Sequence, residues 1–357
     1  MNRLSKQVVV ALVGLLAAPA VAGAQVYPER LSIAARARTV VETARAYQRR
    51  GRDDNREEQT ERTTKVLKLG ADGALALGNI AGDITVTRGG GTDTTIEIVK
   101  TARGRTMEDA KELLTLVPVE VIERNGRAEV RTRYPTGDDQ RRNNRRNINV
   151  SVDYTVTAPA GTRLSIDSIS GTIKVTDIKG DLNANSISGD VRISGAGRIG
   201  TAKSISGTIE ISETQADGAV AGSSVSGDVI FRRVTARRLD GSSVSGNIKV
   251  EDVQCERVSA QTTSGSTWFA GTLARSGRYE LKSFSGEVRV LLAGNPGFEV
   301  DANSFSGEVR TDFPVTTRGA SQPDRRGRHT TLAGTYGDGA AVLDLTTFSG
   351  SIVISKR

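Results

Sequence analysis

The chain is poor in the residues that usually carry chemistry. Among its 357 residues there is one cysteine (Cys255), one histidine (His329) and one tryptophan (Trp268). A single cysteine excludes an intramolecular disulfide and any cysteine cluster, and a single histidine excludes a multi-histidine metal site. Stability must then come from packing and hydrogen bonding, with Cys255 expected as a small, half-buried filler. A Ser-His-Asp triad would have to use His329, in the polar run Asp324 to His329, and no serine sits in a nucleophile-elbow context. No phosphate-binding loop is present either, because glycine runs such as Gly89 to Gly91 lack the Lys-Ser/Thr that completes one. No cofactor or metal is therefore expected. Aromatic residues make up only 4% of the chain, too few for a base-stacking surface, which argues against a nucleic-acid partner.

Long apolar runs are also missing, except one from Val8 to about Ala18. It comes after a basic start (Arg3, Lys6) and precedes Ala22-Gly23-Ala24, so residues 1–24 read as a cleaved secretory signal peptide. The run is too short to span a bilayer, which takes about 20 apolar residues. Position 25 is Gln, so the lipid-modified cysteine of a lipoprotein is absent. The expected product is an exported protein, periplasmic or at the cell surface, with no membrane span after cleavage. Removing Arg3 and Lys6 lowers the formal charge from +8 to +6. A modest positive surplus outside the cell favours acidic partners such as anionic polysaccharide or another envelope component.

What is present is a change of pattern along the chain. Residues 25–64 are Ala- and Arg-rich and then densely charged, and read as a partly helical or disordered linker. Residues 65–158 show period-two strands such as Leu75 and Leu77, then Ile84 and Val86. Thr106 to Asp109 is a capping signature that opens a short helix ended by Pro118. Asn125-Gly126 marks a two-residue hairpin turn that places Val121 opposite Val130 and Glu120 opposite Arg131. This β-rich segment, with its helix and hairpin, is the expected cap of a repeat region that occupies the rest of the chain.

Over residues 159–357 one motif dominates, Ser-x-Ser-Gly. Its glycines stand at 171, 189, 207, 227, 246, 265, 286, 307 and 350, in steps of 18, 18, 20, 19, 19, 21, 21 and 43. A period near 20 marks a repeat architecture. The last step reads as two units with one unmarked coil inside. Apolar residues recur two after each glycine (Ile173, Val191, Ile209) and four after (Val175, Ile193, Ile211). They also recur two before (Ile169, Ile187, Ile205, Val225, Val244). Those offsets share one parity, which predicts one buried face containing all three columns. Ile178 and Leu182 are the expected inward residues of the return path. The fold class read from this is all-β: a parallel β-solenoid of about 18–21 residues per coil.

These residues resemble bacterial exported proteins labelled "putative adhesin", a β-strand-repeat domain of unknown function. The resemblance rests on Gly-Asp-Ile/Val units of this spacing and on an alternating strand ending in Pro-x-Gly-Thr, as at Val152 to Thr162. It rests also on Gly337-Asp338-Gly339 followed by a strand and a final Gly-x-Ile, and it covers about residues 65–357. It implies the fold and an envelope location, and brings no catalytic residues.

The functional reading is a non-catalytic, ligand-binding or structural envelope protein. Three after each glycine, on the outward parity, stand Lys174, Arg192, Lys249, Trp268, Arg289 and Arg310. Stacking brings them into one basic stripe that could hold an anionic polymer, unless Trp268 serves in packing. The runner-up is self-association through an exposed solenoid end, at the strand Ser351 to Ser355. A polysaccharide-active β-helix enzyme is less favoured, because Asp190, Asp228, Glu287 and Glu308 share one repeat column instead of converging.

Overall fold

The computed structural model describes residues 56–135, 148–295, 297–317 and 330–357. The expected signal peptide, most of the charged segment before residue 56, the polar loop 136–147 and His329 lie outside the described residues.

The chain enters on β1 (Glu57–Leu67), followed by β2 (Ala74–Ala81), β3 (Ile84–Arg88) and β4 (Thr94–Gly104). Helix α1 (Met107–Leu116) is capped by Thr106, whose Oγ1 accepts from the Asp109 amide at 3.1 Å. Its buried face, Ala110, Leu113 and Leu114, packs on β4 and β1. The hairpin of β5 (Val119–Arg124) and β6 (Arg127–Thr132) has the expected register, with Val121 opposite Val130 and Glu120 opposite Arg131. Asn125 and Gly126 take the positive φ that a tight hairpin requires, 47° and 73°. Strand β7 (Val150–Ala158) closes this region.

One expectation fails here. Glu57 to Thr64, read as linker, belong to β1, paired antiparallel with β4 along its full length. The strand is mostly exposed and carries no apolar alternation, so no periodicity betrays it. Backbone pairing holds it, helped by cross-strand ion pairs Glu61–Lys100 at 2.7 Å and Glu58–Arg103 at 2.8 Å.

The repeats then alternate between two sheets. One receives β8 (Arg163–Ser170), β10 (Asp181–Ser188), β12 (Arg198–Ser204), β14 (Ala219–Ser224), β16 (Thr235–Ser245), β18 (Gln254–Ser264), β20 (Arg278–Ser285) and β22 (Phe298–Ser306). The other receives the shorter β9 (Ile173–Thr176), β11 (Val191–Ser194), β13 (Ile209–Ser212), β15 (Val229–Arg232), β17 (Ile248–Glu251), β19 (Thr267–Gly271), β21 (Val288–Leu292) and β23 (Val309–Thr311). After β24 (Thr316–Thr317) and β25 (Thr330–Tyr336) come β26 (Ala341–Ser349) and β27 (Ile352–Lys356). Among the described residues the short-strand sheet runs β1-β4-β7-β3-β9-β11-β13-β15-β17-β19-β21-β27-β23. The long-strand sheet runs β24-β25-β22-β26-β20-β18-β16-β14-β12-β10-β8-β2-β6-β5. The described residues are thus all-β, with one helix and two long, mostly parallel sheets. The stack begins before the Ser-x-Ser-Gly motif does: β2 and β3 pair in parallel with β8 and β9.

Each repeat glycine stands at the corner between the two sheets. A Cβ on Gly189 would lie 2.0 Å from the Gly171 carbonyl oxygen, and on Gly227 2.2 Å from that of Gly207. No side chain fits there. The first serine or threonine of each motif is buried beneath the corner. From Ser204 onward its hydroxyl donates to the carbonyl of the neighbouring glycine, whereas those of Ser168 and Ser186 find no partner among the described residues. Ser204 bonds Gly189 O at 3.1 Å, Ser243 bonds Gly227 O at 3.0 Å and Ser283 bonds Gly265 O at 2.7 Å.

This corner corrects the parity reading. The columns two and four after glycine are buried as expected, apart from half-buried Val309 and Thr311 on β23, and so are Ile178 and Leu182. The column two before is not. Ile205 and Val244 are exposed, Ile169, Ile187 and Val225 are half-buried, and the neighbouring Ser168, Ser186, Ser204, Ser224 and Ser243 are the inward residues. Period-two counting holds along one strand only; at the glycine the chain changes direction and the inside and outside parities exchange.

The final step of 43 residues is not two stacked coils. Its β25 runs antiparallel on β22, and β24 pairs antiparallel with β25. The chain then returns, and β26 inserts between β20 and β22 while β27 inserts between β21 and β23. The Ser351 to Ser355 strand, expected at an open end, is therefore interior and paired on both edges. The glycine corner follows the same spatial order. A Cβ on Gly350 would meet Gly286 O at 2.1 Å, and one on Gly307 would meet Gly350 O at 2.0 Å.

Candidate functional site

Parallel in-register pairing decides which side chains meet. On the short-strand sheet the third residue after each glycine forms one outward row. Lys174 pairs with Arg192, Arg192 with Glu210, Glu210 with Ile230 and Ile230 with Lys249. Lys249 then pairs with Trp268, Trp268 with Arg289, Arg289 with Val353 and Val353 with Arg310. The row groups Lys249, Trp268 and Arg289 as immediate neighbours and leaves Lys174 and Arg192 as a separate pair. Arg310 is set one strand further from Arg289 than the sequence suggests, because β27 stands between them.

The row is less cationic than its basic residues imply. Arg192 pairs with Asp190 at 2.8 Å, Arg289 with Glu287 at 3.0 Å, and Arg310 with Glu308. Glu210 and Glu251 both bind Arg232, at 2.8 and 2.9 Å. Period two places Asp190, Glu287 and Glu308 beside their arginines on the same outward face, while Glu210 and Glu251 reach Arg232 from the neighbouring strands. Trp268 is half-buried, with Lys249 Nζ 5.9 Å from its ring centroid, a cation–π contact. Its indole N–H is covered and finds no acceptor among the described residues.

The acidic column one after glycine divides by role. Asp190 Oδ1 accepts from the Thr208 amide at 2.9 Å, and Asp228 Oδ1 from the Asn247 amide at 2.8 Å. These aspartates satisfy backbone donors at the corner of the next repeat. Glu287 and Glu308 reach along their own strands to Arg289 and Arg310. None of the four faces another as an acid–base pair would.

Cys255 is buried, 2% exposed, and burial pushes its thiol up to about 11, which leaves it protonated and unreactive. Tyr154 is also buried, and desolvation pushes its hydroxyl up to about 12, against a 2.5 Å hydrogen bond with Thr132. That bond belongs to a packed network in which Asn79 Nδ2 donates to Val152 O at 2.7 Å. Among the described residues no group of three His, Cys, Asp or Glu is placed to hold a metal. No helix among them is long and apolar enough to cross a membrane.

A second outward row was missed by the sequence reading, which placed it in the core. On the long-strand sheet Phe284, Phe348 and Phe305, two before their glycines, stand on the adjacent strands β20, β26 and β22. Their rings stack at 4.8 and 4.7 Å, within 5° of parallel, and are 56, 45 and 47% exposed.

Among curated proteins no relative matches the chain. A "putative adhesin" structure from Bacteroides fragilis is 15% identical, covering 83% of this chain and 97% of its own, with a TM-score of 0.41. A "putative adhesin" from Parabacteroides distasonis is 11% identical with the same coverages and a TM-score of 0.43. A "putative lipid binding protein" from that organism is 14% identical, again with those coverages and a TM-score of 0.43. The region that holds the Trp268 row, the phenylalanine stack and the inserted last strands matches one family. Residues 243–355 match the model of the Toastrack DUF4097 family, a domain of unknown function.

Proposed function

We propose that this is a non-catalytic, exported envelope protein whose two sheets are the walls of one parallel β-solenoid. Its short-strand face would contact an anionic polysaccharide or a similar surface polymer. The solenoid reading is supported by the alternation of successive strands between the sheets and by the unbroken glycine corner.

The observation that carries the binding reading is the in-register neighbourhood of Lys249, Trp268 and Arg289. An aromatic ring between two cations offers a sugar an apolar platform with ionic partners on both sides. The Arg289–Glu287 pair does not oppose this. Both side chains are a third to a half exposed, and such surface pairs are worth about 0–1 kcal/mol, so a ligand carboxylate can compete with Glu287.

The test uses the mature chain, whose N-terminal mass should place cleavage near Gln25. Retardation in alginate gels should weaken as salt rises, because exposed charges are screened beyond about 8–10 Å at ordinary ionic strength. Replacing Lys249 and Arg289 together by Ser should abolish it while leaving the far-UV spectrum unchanged. Trp268→Ala should weaken binding without lowering Tm. Undiminished low-salt binding by the double variant would remove this row as the site, and a large fall in Tm for Trp268→Ala would assign that ring to packing.

A further inference from the structure

The phenylalanine row lies on the other sheet and has no part in the cationic row. It continues a column that runs from half-buried Ile169 through exposed Ile205 and Val244 to Thr263, then ends in Phe284, Phe348 and Phe305. An exposed apolar line of this length on a strand-rich surface marks an interaction site.

Two residues earlier on the same outward face runs a parallel row of Gln261, Lys282, Thr346 and Asn303. Period two sets the rows about 7 Å apart. Between them lies an open groove of about 510 Å³ that crosses β16, β18, β20, β26 and β22. Four strand spacings make it about 19 Å long. One wall is phenyl and the other is amide, hydroxyl and ammonium.

The polar wall is held in place from behind. Lys282 Nζ is bound by Glu280, Asn303 Nδ2 donates to Asp301 Oδ1 at 2.8 Å, and Gln261 Nε2 donates to Ser259 Oγ at 3.3 Å. These bonds occupy the amide and ammonium nitrogens, so the two amide oxygens and the Thr346 hydroxyl are the groups the polar wall has to offer a ligand. Lys282 is the one charged residue in the lining, and Glu280 neutralises it. The groove therefore offers no net charge to a ligand.

We propose that this groove binds a neutral, linear polysaccharide lying along the stack, across the strands. A chain of sugar rings has C–H faces and hydroxyl edges, which match a phenyl wall and an amide–hydroxyl wall at once. The ring face of Phe284 turned towards Thr263 is the open platform, because threonine is too short to cover it. An acyl chain matches only half the groove. It would strip water from the polar wall without replacing the lost hydrogen bonds, at about 1–3 kcal/mol for each group left unpaired. An anionic polymer gains nothing from a neutralised lysine.

The test is affinity electrophoresis of the full mature chain through gels containing hydroxyethylcellulose, glucomannan or mannan, beside alginate. Retardation by at least one neutral polymer is expected. It should vanish in Phe284→Thr/Phe348→Thr, which installs the residue that already fills this column at position 263. Asn303→Ala and Gln261→Ala should each raise Kd roughly three- to tenfold. All three variants alter outward side chains only, so far-UV spectra and Tm should hold. Alginate retardation reads the opposite sheet and should be unchanged, which separates failure of this site from failure of the cationic row. Free passage of the wild-type chain through all three neutral gels overturns the proposal. So does retention of binding by the double phenylalanine variant. Flotation with phosphatidylcholine vesicles that the phenylalanine variants abolish, without any glycan retardation, would make the occupant an acyl chain.

Discussion

At the scale of single residues, the corner does most to define this protein. Each Ser-x-Ser-Gly motif assigns three jobs within four residues. The first hydroxyl goes inward, where from Ser204 onward it caps a glycine carbonyl, the middle side chain turns outward, and the glycine lets two backbones touch. Gly227→Ala should be severe, because its Cβ would sit 2.2 Å from the Gly207 oxygen and Gly246 stacks on its other side. A loss of about 3 kcal/mol or more in urea unfolding is expected, since backbone packed at the corner leaves little room to relax. Ser243→Ala removes one hydrogen bond from the same corner, and about 1 kcal/mol is expected. A smaller effect for the glycine than for the serine would mean that the hydroxyl ladder, and not close approach, sets the corner. The opposite corner uses left-handed residues without a glycine consensus: Asp177, Glu213, Arg233 and Asp252 all have φ between 49° and 58°. Three different side-chain types in that conformation leave no composition signal, so this corner was not legible in the sequence.

At the scale of elements, the inserted strands decide how the far end is built. β26 and β27 fill a gap between neighbours that never pair with one another, and they bury Leu343, Leu345, Ile352 and Ile354 there. Deleting residues 341–357 should leave the earlier repeats stacked, because each repeat depends mainly on its neighbours. It should free β22 and β23 from both sheets. Trypsin is then expected to cut at Arg310 in the truncated chain and to spare it in the intact one. Protection of Arg310 after the deletion would show that β23 can pair directly with β21. Repeat period, strand direction, the hairpin register and the helix cap were all readable, because each is local or nearly so. The order of the last strands was not, since Gly307 and Gly350 carry the same motif and nothing local says which stacks on Gly286. The Lys249–Trp268–Arg289 neighbourhood was legible for the same reason as the period. The phenylalanine groove was hidden by carrying parity through a glycine that reverses it.

At the scale of the whole molecule, the question is whether the ends of the sheets invite other copies. A parallel stack leaves an unpaired strand edge at each end, which is a template for polymerisation. Among the described residues the edges are blunted in different ways. β1 ends the short-strand sheet with a row of charges that includes Glu57, Glu58, Glu61 and Arg62. At the opposite end of that sheet β23 is only three residues long. The long-strand sheet ends on the two-residue β24, beyond the antiparallel β25. The core behind it is plugged by aromatics: Phe313 meets Phe298 at 5.3 Å and Tyr336 at 4.9 Å, with Phe313 only 3% exposed. At the other end of that sheet β5 is the least protected, with Ile122 48% exposed beside Glu123 and Arg124. Charges, shortness and an antiparallel cover are the devices that keep natural sheet edges apart. Sedimentation velocity over a wide concentration range should therefore give one monomeric species with a constant coefficient. A coefficient that climbs with concentration would revive end-to-end assembly, and β5 would then be the edge to examine first. Ile122→Lys should restore the monomer if association runs through that strand. Persistence of the larger species in Ile122→Lys would point instead to the exposed phenylalanine column, where Phe284→Thr/Phe348→Thr gives the deciding measurement.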